Sequence, residues 1–155
     1  MTSFFPSDAP YLSDVFAVIE VALAVTLAVG LFVVRRGHVR AHSYLQASIV
    51  LVNIPVVLLW MVPLYIMFVL PGVPGELSKP FYLVPTLMLF AGGAAEALGI
   101  YIILVAATNL VPEQFRFRDY KLWMRTELAL WWSVVLLGLL TYYIFFVGVP
   151  SLPPP

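Results

Sequence analysis

The sequence predicts an all-α membrane protein, a bundle of four transmembrane helices with both termini outside. Three observations carry that expectation. Hydrophobic residues make up 63% of the chain and charged ones only 10%, far from the usual mixture of a soluble domain. Four apolar stretches, at 11–34, 43–70, 81–110 and 122–147, each exceed the roughly 20 residues that a membrane-crossing helix needs. The basic residues fall between these stretches in two groups, Arg35, Arg36 and Arg40, then Arg116, Arg118, Lys121 and Arg125. Positively charged loops stay in the cytoplasm, so both groups are expected inside and the termini outside. The short connections leave one integral membrane domain over 1–155, with no room for a soluble catalytic domain.

The first stretch lacks a basic leader and is longer than a signal-peptide core, so it is expected to be a retained helix. Arg35 and Arg36 follow it and act as a topology anchor. The second stretch contains Pro55 and Pro63, which each remove a backbone donor and crowd the preceding turn, predicting a bent helix. Pro71, Gly72, Pro74 and Gly75 then predict a tight outer turn. The loop that follows has a single cation, Lys79, offset by Glu76.

Pro80 and Pro85 open the third stretch, where a missing N–H costs little, and Pro112 marks its end. Within it Ala91, Ala95 and Gly99 recur at every fourth position, with Gly92 beside them. That spacing lets helix backbones approach closely in lipid and predicts a packing face. The fourth stretch follows the second basic group. The end of the chain, 148–155, is rich in proline and predicts an extended polyproline-like tail held by a larger neighbour.

Ionisable residues inside a span are costly and are functional candidates. Glu20, Asn53 and Glu96 lie at comparable depth, roughly 15–23 Å from the cytoplasmic face at the helical rise. Glu96 shares the small-residue face of its helix and is expected to point at protein. One reading makes Glu20 and Glu96 a protonatable pair, with Asn53 beside them, for proton transfer or for hydrogen bonding a quinone headgroup. The other makes each carboxyl a neutral, hydrogen-bonded lock between helices.

His38 and His42 are the two histidines, at a spacing that places both on one helix face unless Gly37 breaks the helix. Two ligands without a third predict no metal site. If His42 holds a ligand, Gln46 and Glu127 are its nearest helpers. Trp60, Trp123, Trp131, Trp132, Tyr142 and Tyr143 suit interfacial belts and helix contacts, with Trp131 and Trp132 pointing in different directions. The absence of cysteine excludes thiol chemistry and thiolate metal sites. No phosphate-cradling loop, nucleophile constellation or haem-attachment motif is present, no catalytic residue is expected, and nothing points to nucleic acid.

Over residues 37–146 the chain resembles the small bacterial membrane proteins of the YozB-like group. The resemblance lies in His42, which opens a span after a short basic loop, and in the order Arg125, Trp131, Gly138, Tyr142 in the last span. It implies a four-helix bundle in the cytoplasmic membrane associated with haem–copper oxidases. That group is rich in histidine, and this chain has Tyr120, Ala94 and Leu64 or Tyr65 near the corresponding places. The resemblance therefore implies a relative that kept the bundle and lost the metal.

The expected function is a non-catalytic accessory subunit, or an assembly factor, of a bacterial membrane electron-transfer complex. Its expected partners are other integral membrane subunits and lipid. The alternatives are a membrane redox protein binding haem, copper or quinone through His42, Glu96, Asn53 and Glu20, and a small proton channel or transporter using Glu20 and Glu96.

Overall fold

The structure is a computed structural model that describes residues 11–147. The proline-rich tail expected at 148–155 lies outside the described residues. Four helical spans, each long and apolar enough to cross a membrane, form the bundle, and no strand occurs among the described residues. The first span is Tyr11–Arg35, the third Pro80–Ala107 and the fourth Tyr120–Phe146. The second begins with the regular helix Val39–Val56 and continues as a helical path to Glu76. The end carrying the two arginine groups is called the basic end below, and the other the far end.

The first span closes with Arg35, a cation at the negative pole of the helix. Gly37 follows at φ 85°. Its N–H bonds to the Val34 carbonyl at 3.0 Å, and that of His38 to Val33 at 3.2 Å. This paired closure needs a left-handed residue at position 37, which glycine adopts without strain. The second span can then start at Val39, immediately after the turn.

Proline shapes the second span. Wide turns of π type at Val57–Met61 and Tyr65–Val69 follow Pro55 and Pro63 and absorb the lost backbone bonds. The tight turn expected at 71–75 is absent. A short 3₁₀ turn, Leu70–Gly72, leads into the helix Val73–Glu76, because Pro71 and Pro74 occupy first-turn positions that need no N–H. The span thus ends at Glu76 instead of residue 70. Only Leu77, Ser78 and Lys79 connect it to the third span. There the Lys79 ammonium pairs with Glu76 at 2.6 Å, and this hydrogen bond holds the exposed lysine above its ordinary pKa.

The third span ends at Ala107, earlier than expected, because Arg116 folds back on it. The guanidinium donates to the carbonyls of Val111 and Thr108 and to Asn109 Oδ1 at 3.0–3.2 Å. That cation neutralises the helix C-terminus and fixes the loop. Asp119 begins the fourth span, its carboxylate accepting from the N–H groups of Lys121 and Leu122 at 3.1 and 3.2 Å. Asp119→Ala is expected to lower stability by about 1 kcal/mol, read as a lower unfolding midpoint in detergent.

The spans pack in a ring: the first touches the second and fourth, and the third touches the same two. Leu23, Leu27, Ile49, Val50, Met88, Ala95, Trp131, Val134 and Val135 form the core. The outward stripe of the first span, Val18, Val21, Val25, Val29 and Phe32, is exposed and wholly apolar. A surface of this kind is complementary to lipid.

Candidate functional site

The polar side chains lie along the inside of the bundle. Asn53 on the second span donates its amide to Glu96 Oε2 on the third at 2.9 Å. The equal depth expected from the sequence is therefore a direct bond. Wide turns begin only after Val56, so Asn53 sits on regular, well-aimed helix.

Glu20 makes no hydrogen bond to Glu96, whose partner is Asn53. It crosses to the fourth span and lies against Gly138, where an added Cβ would stand 2.8 Å from the carboxyl. The glycine leaves the space that the carboxyl fills. Depth along a helix is legible in a sequence, whereas the direction around its axis is set by neighbours.

Two further acids belong to this interior. Glu127 is 8% exposed, and its Oε1 accepts from the Trp131 indole at 2.7 Å. The two share a helix face one turn apart. Asp14 is fully buried, and the Tyr142 hydroxyl donates to its Oδ1 at 2.6 Å. Sequence reasoning treated Glu127 only as a helper and did not single out Asp14. The i, i+4 placement of Glu127 and Trp131 was the available signal for the first.

Trp131, Gly138 and Tyr142 thus each meet a buried acid. They line the inward face of the fourth span. Glu20 Oε2, Glu96 Oε1 and Glu127 Oε2 have no hydrogen-bond partner although each atom is buried. An unpartnered buried polar atom is costly and marks a place for a ligand or water.

Two cavities flank this line. One, of about 350 Å³, lies toward the far end and is bordered by Glu20, Asn53, Trp60, Tyr65, Gly138 and Tyr142. The other, of about 600 Å³, lies toward the basic end and gathers His42, Gln46, Glu127, Lys121 and Arg125. The helpers expected around His42 are therefore assembled. Nδ1 of His42 lies 2.9 Å from the Gly30 carbonyl of the first span, a contact that requires the N–H on Nδ1 and leaves Nε2 free to face the cavity. His38 stands apart, exposed at the turn. Among the described residues no three His, Cys, Asp or Glu side chains gather as metal ligands.

The small residues of the third span divide between two roles. Ala95 and Gly99 are buried, and Ala91 and Gly92 are half-buried. An added Cβ at Gly99 would meet Val50 Cγ2 at 2.6 Å and Glu127 Oε1 at 2.7 Å. Gly93, Ala94 and Ala97 instead face outward. Trp131 is fully buried and Trp132 partly so, which matches their expected divergence. Comparisons with protein-family models, curated proteins and solved structures find no match for the chain.

Proposed function

We propose that this protein is a non-catalytic accessory or assembly subunit of a bacterial membrane electron-transfer complex, respiratory and related to haem–copper oxidases. It lies in the cytoplasmic membrane, with the basic end facing the cytoplasm and both termini outside. The observation that carries the subunit role is the outward face of the third span. Gly93, Ala94 and Ala97 are exposed beside Phe90, 72% exposed, and an added Cβ at Gly93 would touch nothing within 4 Å. Small residues beside a projecting aromatic provide a close-approach surface that the bundle itself does not use. The electron-transfer setting rests on the YozB-like resemblance.

Purification from native membranes in mild detergent is expected to recover the chain with other integral subunits, a haem-bearing oxidoreductase among them. Gly93→Leu should weaken that recovery by about tenfold, the effect of roughly 1.4 kcal/mol, without lowering thermal stability. Migration of the wild-type chain alone would overturn the proposal.

A second reading is favoured by the basic-end cavity, whose His42, Gln46 and Glu127 offer acceptors and a donor beside apolar walls. A quinone-type headgroup suits that set. Organic extraction of the purified protein should then yield quinone in the wild type and at least about tenfold less in His42→Ala. A quinone-free wild type removes this reading.

A further inference from the structure

We propose that the buried acids form a proton-transfer path through the bundle, with Glu96 as the relay between two half-channels. The argument begins with their order. Measured from the basic ends of their helices at 1.5 Å per residue, His42, Glu127, Glu96, Glu20 and Asp14 lie at depths of roughly 5, 11, 17, 23 and 32 Å. Four helices thus contribute protonatable groups at successive depths, with steps near 6 Å over most of the path. Between groups staggered in this way, protons pass over intervening waters.

The cavities provide the volume. The far-end cavity reaches Glu20 and Asn53, and the basic-end cavity reaches His42 and Glu127. Glu96 borders neither. It bonds to Asn53 on one side, and one helical turn away Gly99 abuts Glu127 on the other. A proton crossing between the cavities passes through this position. Each cavity has room for several waters, one needing roughly 10–15 Å³ of such space.

The acids are also wired for the task. In Glu96 the Asn53 amide claims Oε2, and in Glu127 the Trp131 indole claims Oε1. Both donors are fixed, so those oxygens act as acceptors. The remaining oxygens, Glu96 Oε1 and Glu127 Oε2, are unpartnered and are the atoms that take up the proton. Glu20 and Glu127 are each at least nine-tenths buried, border opposite cavities, and carry an unpartnered oxygen. In each step one O–H bond breaks as another forms on the next water or carboxylate. No electron moves, and the membrane gradient sets the direction. Chains of buried acids and a histidine serve this purpose in membrane proteins.

The full chain in liposomes loaded with a pH-sensitive dye, under a valinomycin-imposed potassium potential, tests the proposal. Wild-type liposomes are expected to acidify faster than protein-free ones. Glu96→Gln, Glu20→Gln and Glu127→Gln should each lower the rate at least tenfold, and Glu96→Asp should retain measurable flux. Thermal melts identify any variant that fails to fold, and the remaining ones decide. Wild-type flux equal to that of empty liposomes, or undiminished flux in folded Glu96→Gln, overturns the path. Gly93→Leu should leave flux intact, so failure of the subunit proposal and failure of this one are separable.

Discussion

Trp131→Ala is expected to lower the stability of the bundle by about 3 kcal/mol, the low end for deleting a large buried aromatic. The side chain is fully buried among Leu23, Leu27, Ile49, Val50, Met88 and Ala95. Lipid is as apolar as that core, so burial here gains little from leaving water. The loss is instead one of dispersion contacts around the emptied space, together with the indole donor to Glu127. Trp131→Phe separates the two contributions. It retains most of the volume and leaves Glu127 Oε1 without its donor, for an expected cost of about 1–2 kcal/mol. Unfolding in mixed detergent micelles measures both, and equal stability of Trp131→Phe and wild type would show that the bond contributes nothing.

Gly99→Ala is expected to cost about 2 kcal/mol, whereas Gly93→Ala should stay within roughly 0.5 kcal/mol. The two glycines sit on one helix and face different sides of it. A methyl at Gly99 meets Val50 and Glu127 at distances that real contacts do not reach. Neither neighbour yields easily: Val50 is β-branched and held in one helical rotamer, and Glu127 is pinned by Trp131. At Gly93 the same methyl enters open space. Thermal unfolding of the two variants side by side checks the contrast, and equal losses would mean that the third span is turned differently.

The four spans were legible because apolar length and arginine placement do not depend on how helices pack. The Asn53–Glu96 bond was within reach for a similar reason, since the helical rise converts sequence position into depth. Other features depend on azimuth or on local exceptions. Glu20 has the expected depth but turns toward Gly138, a residue that the small-residue pattern of the third span could not point to. Asp14 lies near the start of the first span, and only the fold brings the Tyr142 hydroxyl, distant in sequence, against it. The prolines near residue 71 read as a turn, yet at the first positions of short helices they extend the second span to Glu76. Arg116 read as a topology marker and also caps the third span.

The proposed subunit role and proton path both place this bundle in a bilayer with its basic end facing the cytoplasm. The chain contains no cysteine, so single cysteines at two exposed positions report on that directly. In intact cells a membrane-impermeant maleimide should label Ser78→Cys, in the connection after Glu76, and should label Gln114→Cys only after permeabilisation. Labelling of Gln114→Cys in intact cells with Ser78→Cys protected would contradict the account.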